Sequence, residues 1–263
     1  MLLKLRELIQ FIMKKSIKKN YYFENMEKMI KKFNQNGFII LRNFLTQKKI
    51  NQVKKDLFIY LKKNNKNFTS KEINLVNKGK VNSLHNLKNF IHAKDLKKNI
   101  HLKQIAEKLL GEEVEDMGSE LFAKPAKFGL KSPAHQDNYY WCLKKGNALT
   151  VWIALNDASK KNGGIYYYVG SHKKNIYQHK PSFAPGSSQT VKQLSYLKKY
   201  KVFFPKLKSG DCLIHHSKIV HGSNENKSNK DRKGLTVRFK AKTDKRVKSK
   251  HLKYLRDLRE QIK

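Results

Sequence analysis

Two stretches of this chain alternate with a period of two, and they constrain the fold more than any other feature. In "NALTVWIAL", Leu149, Val151, Ile153 and Leu155 fall on one side of an extended backbone, and Thr150, Trp152 and Ala154 on the other. In "RKGLTVRFKA", Leu235, Val237 and Phe239 share one face, while Arg232, Gly234, Thr236 and Arg238 take the opposite one. One face of each strand is apolar, as a sheet covered by helices requires. The other mixes indole, hydroxyl and guanidinium groups, as the wall of a cavity would. Further strand-like runs, "ELFAKP", "GIYYYVG" and "GDCLIHH", share the second half of the chain with turns rich in Gly, Pro and Asn.

The first 110 residues read mainly as helices. "NFLTQKKINQVKKDLFIYLKKN" carries a stripe of Ile50, Val53, Leu57 and Leu61 after a cap candidate, Thr46. "HLKQIAEKLLG" gives a short helix with Gly111 at its stop position. Helices first and many short strands later predict a mainly β fold with flanking α, an antiparallel sandwich or barrel buttressed by N-terminal helices. The expected division is an amphipathic helical extension over 1–20, one domain over 21–245 (helical part 21–115, β core 116–245), and a charged C-terminal helix over 246–263.

The net charge of +38 over 263 residues suggests a nucleic-acid partner. The kind of base argues against specific readout, because 51 residues are Lys and only 7 are Arg, and base edges are read best by the guanidinium fork. The lysines are scattered along the chain among abundant Asn and Ile, as AT-rich coding bias on a solvated surface would place them. No specific nucleic-acid partner is expected; an anionic substrate or weak contact with a membrane surface stays open. Leu5, Leu8, Ile9, Ile12 and Met13 are spaced as an amphipathic helix, without the features of a signal peptide, and no apolar run reaches membrane-spanning length. With only Cys142 and Cys212, a disulfide framework is excluded and a cytoplasmic location is expected.

Chemistry concentrates at "SPAHQDNYYW". Were "AHQDNYY" a strand, His135 and Asp137 would project from one face and Gln136 from the other. An imidazole and a carboxylate so placed reach one metal ion, and His221 in "GDCLIHHSKIVHGSNENKS" is the best third ligand. Two His and one carboxylate form the facial triad of non-haem iron(II) oxygenases, with positions left open for a cosubstrate and dioxygen. A His-x-Asp tripeptide is also common as a purely structural feature, and His172, His215 and His216 fit wall or turn positions equally well.

From Lys124 to Lys233 the chain resembles the phytanoyl-CoA dioxygenase family of iron(II)- and 2-oxoglutarate-dependent oxygenases. The matching pieces are Lys124–Pro125, "HQDNYYW", "LTVWIALNDASKKNGGIYYYVGSHK", "GDCLIHHSKIVHGSNENKS" and "RKGL", in family order. The resemblance implies a double-stranded β-helix (jelly-roll, cupin-like) core with iron(II) on His135, Asp137 and His221. It also implies Trp152 beside 2-oxoglutarate and Arg232 on its distal carboxylate. Where the family often has Met four residues before the lysine, this chain has Glu120, a further cosubstrate-contact position. The implied reaction uses O2 and 2-oxoglutarate to hydroxylate a C–H bond of a small-molecule or acyl substrate, releasing succinate and CO2. Related halogenases replace the triad carboxylate with a small residue, so Asp137 points to hydroxylation. The competing readings are a zinc hydrolase on the same three ligands and a non-catalytic module that binds nucleic acid or other anions through its charge.

Overall fold

The structure is a computed structural model describing residues 19–262 other than 65, 66, 71, 78, 88, 185 and 186; the side chains of 19–24 and 260–262 are likewise outside the description. The extension expected over 1–20 therefore lies outside the described residues, except for 19 and 20, which open helix α1 (Lys19–Asn36).

Helix α2 (Gln47–Asn64) forms where the apolar stripe predicts it. The Thr46 hydroxyl accepts the Lys49 N–H at 3.2 Å, and Ile50, Val53 and Leu57 are buried. Helices α3 (Ile91–Lys98) and α4 (Ile100–Leu110) follow. Asn99 caps α4 by accepting the Leu102 N–H at 2.8 Å, and Gly111 closes it at φ 75°, a left-handed conformation that costs glycine little.

The N-terminal region is mainly helical, as expected, and three short strands that the sequence reading did not assign are threaded through it: β1 (Phe38–Leu41), β2 (Ile73–Val76) and β3 (Lys80–His85). The remaining strands are β4 (Val114–Lys124), β5 (Ser132–His135), β6 (Ala148–Ala154), β7 (Ile165–Tyr168), β8 (His179–Ala184), β9 (Ser187–Val191), β10 (Val202–Phe203), β11 (Cys212–His216), β12 (His221–Ser223) and β13 (Arg232–Ala241). Short α5 (Asp137–Trp141) follows β5, and α6 (Lys248–Ile262) ends the chain.

A seven-stranded sheet runs β1-β11-β6-β13-β4-β3-β2, a four-stranded one β10-β7-β12-β5, and β8-β9 form a hairpin. All pairings are antiparallel. The outer face of the large sheet carries Leu149, Val151, Ile153, Leu235, Val237 and Phe239 into one core with Phe33, Ile50, Val53, Ala93, Leu102 and Ala106 of the helices. Its inner face packs Trp152, Ala154 and Leu213 against Tyr167 and Ile219 from the smaller sheet's side. Two sheets face to face with helices on one outer side make a jelly roll, and the alternation in β6 and β13 divides its two cores as the sequence predicts.

Candidate metal centre

His135 ends β5 and His221 begins β12, directly opposite each other in the antiparallel register. Their ring centroids lie 4.4 Å apart. Asp137 reaches the same point by a route different from the one expected. The strand stops at His135, and Asp137 opens α5 rather than continuing the alternation. The break is fixed locally: the Asn138 N–H donates to Ser217 O at 2.9 Å, and the Asn138 amide bonds both backbone groups of Leu143 at 3.1 Å. Buried Gln136 is tied down on both sides, donating to Lys218 O and accepting from Tyr177 N–H.

The result is a cluster whose three ligand atoms lie within 4.8 Å of one another. His135 Nε2 and His221 Nε2 approach Asp137 Oδ1 at 3.8 and 3.6 Å. Each histidine donates its Nδ1–H to the carbonyl two residues before it, His135 to Pro133 at 2.7 Å and His221 to Ile219 at 3.1 Å. That fixes the tautomer and leaves both Nε2 lone pairs facing the carboxylate. Burial, then its neighbour His135, pushes His221 down to about 3, and burial likewise lowers His135. Both rings are therefore neutral and able to ligate at physiological pH. Burial disfavours the Asp137 charge, but His221, His215 and His135 together outweigh it and hold this carboxyl well below the usual range.

The second carboxylate oxygen is held by residues that motif reading alone did not select. Thr150 Oγ1 donates to Asp137 Oδ2 at 2.8 Å, and His215 Nε2 lies 3.2 Å from the same atom. Tyr167 Oη is 2.8 Å from His215 Nδ1. A Tyr167–His215–Asp137 chain thus turns Oδ1 toward the two imidazoles. The signal for Thr150 was its place on the mixed face of β6; His215 could be read equally as a wall residue. Two neutral imidazoles and one partly buried anionic oxygen are the donor set that suits iron(II).

Trp152 and Arg232 sit on the inner face of the large sheet, 2% exposed each. The Arg232 guanidinium carbon lies 5.6 Å from the Trp152 ring centroid. Between them on β13, Gly234 is required, since a Cβ there would fall 1.9 Å from the indole. Arg232 donates Nε and Nη2 to Gly163 O at 3.1 and 2.8 Å, and Nη1 to Phe122 O at 3.2 Å. A guanidinium has five N–H groups, so two remain for a ligand. Burial pushes Arg232 down to about 9, which leaves it charged at neutral pH. No carboxylate pairs with it among the described residues. Trp152 Nε1 is buried without a hydrogen-bond partner.

Glu120 is on the same inner wall, two positions before Phe122, but it is engaged elsewhere. Its carboxylate meets His85 Nδ1 at 2.7 Å and Arg238 Nη1 at 3.3 Å. Arg238 also donates Nη2 to Met117 O at 3.2 Å. His172 and His216 stand apart from the three ligands, 5.5 Å from each other. No helix among the described residues is long and apolar enough to cross a membrane.

Solved structures share this architecture. EctD from S. alaskensis, determined with 2-oxoglutarate and 5-hydroxyectoine, aligns with TM-score 0.68 at 21% identity, over 81% of this chain and 75% of its own. SnoN, a non-heme alpha ketoglutarate dependent epimerase from nogalamycin biosynthesis, aligns with TM-score 0.68 at 17% identity, over 85% of this chain and 86% of its own. At these identities the likeness is one of fold. Among sequence relatives, the peroxisomal phytanoyl-CoA dioxygenase of Bos taurus is 23% identical over 222 residues, 79% of this chain and 66% of that protein. Phytanoyl-CoA dioxygenase domain-containing protein 1 of Mus musculus is 30% identical over 121 residues, 44% of this chain and 41% of that protein. The chain thus spans slightly less than two thirds of the first relative and about two fifths of the second. The phytanoyl-CoA dioxygenase family model matches residues 33–234, taking in every strand from β1 to β12 and all three clustered ligands, and the chain belongs to that family.

Proposed function

We propose that this chain is an iron(II)- and 2-oxoglutarate-dependent dioxygenase that hydroxylates an unactivated C–H bond of a small-molecule or acyl substrate, within a single domain over 21–245. The observation that carries this reading is the pairing of two features inside one barrel. A neutral-imidazole and carboxylate cluster can hold iron, and a buried guanidinium without a counter-ion can hold an anion. A zinc hydrolase would use the first and leave the second unexplained. A charge-driven binding module would need neither, and would place its cations on the surface rather than under Trp152.

His135 and His221 would bind iron through Nε2 and Asp137 through Oδ1. When bound, iron(II) with 2-oxoglutarate and O2 supplies the oxidising equivalent that converts C–H to C–OH, with succinate and CO2 as coproducts. The chain's own contribution is positional. The backbone carbonyls behind each imidazole keep Nε2 unprotonated, and Thr150 and His215 fix the carboxylate, so the ligands are set before iron arrives. Arg232 orients the cosubstrate through a charge-assisted fork to its distal carboxylate, while the Trp152 indole forms the wall beside it. Glu120, occupied by His85 and Arg238, contributes its backbone rather than its carboxylate to that wall. The two neutral ligands and the single anionic one leave iron(II) with a net positive charge that favours chelation by a 2-oxo acid.

Anaerobic addition of iron(II) and 2-oxoglutarate should give a weak visible charge-transfer band, and admission of O2 should release succinate. Absence of both, with iron demonstrably bound, would overturn the reading. A metabolite screen for substrates that stimulate 2-oxoglutarate consumption would then identify the substrate class.

A further inference from the structure

Lys124 is 3% exposed, which is rare for an ammonium without a carboxylate partner. Its Nζ instead faces three backbone carbonyls: Leu130 at 2.5 Å, Asn224 at 2.6 Å and Ser223 at 3.4 Å. Leu130 lies two residues before β5, the strand that ends in His135. Ser223 and Asn224 lie two and three residues after His221. One side chain therefore ties the run-in of one ligand strand to the run-out of the other, across the pair whose register shifts between His221 and Ser223.

The stem of the same lysine shapes the anion seat. Lys124 is the direct cross-strand partner of Arg232. Its Cδ lies 2.8 Å from where a Cβ on Gly163 would stand, and Gly163 O is the carbonyl that takes two of the Arg232 hydrogen bonds. Two buried basic groups directly opposite each other on neighbouring strands repel when both are charged. Glu225, an acid that acts on Lys124, is itself ion-paired to Lys227 at 2.8 Å. A methionine would fill the same space without that cost, so packing alone does not explain the ammonium.

We propose that Lys124 is a positioning residue that, through the carbonyls it already grips, couples the two histidine-bearing strands to the anion seat at Arg232, a coupling that a distal carboxylate in the seat strengthens. The proposal rests on the oxygenase reading for the identity of that carboxylate. Burial, then Arg232, pushes the Lys124 pKa down to about 6. An anion in the seat offsets both effects and favours the charged form, which alone has three N–H groups for three carbonyls.

The test compares 2-oxoglutarate with 2-oxobutyrate, which keeps the chelating end and lacks the distal carboxylate. Wild-type protein loaded with manganese(II) must first bind 2-oxoglutarate; failure there strikes the oxygenase reading, not this one. In Lys124→Met, 2-oxoglutarate should bind at least tenfold more weakly, and its KM should rise more than kcat falls. 2-Oxobutyrate binding should weaken only as much as manganese binding does. If the melting temperature falls while all the dissociation constants stay at wild-type values, Lys124 merely packs the fold and the inference is wrong. Equal weakening of the two oxo acids would also overturn it, since the distal carboxylate would then play no part. Should Lys124→Met not fold, wild-type protein with ¹⁵N-labelled lysine serves. A slowly exchanging ammonium signal should appear with 2-oxoglutarate and not with 2-oxobutyrate. An identical spectrum with both ligands would refute the proposal.

Discussion

The two ends of β13 carry one arginine each on the same inner face, and the fold treats them in opposite ways. Arg238 is matched by a carboxylate: Glu120 lies 3.3 Å away, with His85 on the far side of that acid. Arg232 is given only the carbonyls of Gly163 and Phe122, under an indole, beside buried Lys124. The first arrangement is a finished ion pair and has no need of a ligand. The second holds positive charge that the described residues leave uncompensated. Taking a guanidinium out of water costs several kcal/mol unless an anion repays it. In this barrel the open charge, rather than the count of charges, is what supports the proposed cosubstrate pocket.

The largest effect that would sharpen this contrast lies at the cluster between the sheets. Asp137→Ala removes the one anionic oxygen facing His135 and His221, and should abolish substrate hydroxylation with a severe loss of iron affinity, read by isothermal titration under anaerobic conditions. Retained turnover in that variant would mean the metal is held elsewhere. Next comes Arg232→Lys. Lysine cannot reproduce two parallel N–H bonds to a carboxylate, nor serve Gly163 O with two more. The apparent KM for 2-oxoglutarate should rise by an amount worth roughly 2–4 kcal/mol, with iron affinity nearly intact. A fall in iron affinity to match would show that the two sites are not separable.

Much of this contrast was legible in the chain, and where it was not the reason is physical. Alternation assigned both faces of β6 and β13, because side chains on a strand must point to opposite sides and one face meets helices. The same rule failed at Asp137, because the backbone turns into α5 there. What turns it is Asn138 bonding Leu143 and Ser217, a local closure with no periodic signature. Strands β1 and β3 were unreadable for another reason. "FIIL" is short and uniformly apolar, and it becomes a strand only by pairing with β11, more than 170 residues downstream. Alternation also left Arg232 and Arg238 on equal terms along β13. The family resemblance selects Arg232, and in the fold the cross-strand neighbours, Lys124 for one and Gly118 with nearby Glu120 for the other, separate them.

Acid and base should address the two regions in different windows. Buried His172 and His216, against α1, and His179, beside Gln136, are pushed down chiefly by burial, the first and last to about 4 and His216 to about 3. Their unfolded values are near 6.5, so between about 6.5 and 4 the unfolded chain binds more protons than the folded one. Stability contributed by these rings is present above that window and lost as pH falls through it. Lys124, lowered to about 6 from 10.5, has the same sign in a higher window: stability falls as pH drops from 10.5 toward 6 and no further below it. Calorimetric melting of metal-free protein should therefore show two declines on acidification, and 2-oxoglutarate should diminish the upper one. A melting temperature flat from pH 6.5 to 4.5 would contradict the histidine assignments.

The smallest expected effect is the most exacting for the comparison. Arg238→Lys keeps a cation near Glu120 but gives up the fork. Lysine has one nitrogen with which to reach either Glu120 or Met117 O, and no planar group to lie over Trp141, whose ring centroid is 5.8 Å from the guanidinium carbon. Arg238 is partly exposed, so solvent screens part of the loss, and the cost should be about 1 kcal/mol of stability. The KM for 2-oxoglutarate should stay within about twofold of wild type, a change of about 0.4 kcal/mol or less. The physical reason is distance: six strand residues separate the two arginines, about 20 Å at ~3.3 Å per residue, and a five-carbon diacid that chelates iron held by His135, Asp137 and His221 could not span to both. If Arg238→Lys raises KM as strongly as Arg232→Lys, the ion pair with Glu120 is not a finished one. The open charge would then be a poor guide to the pocket.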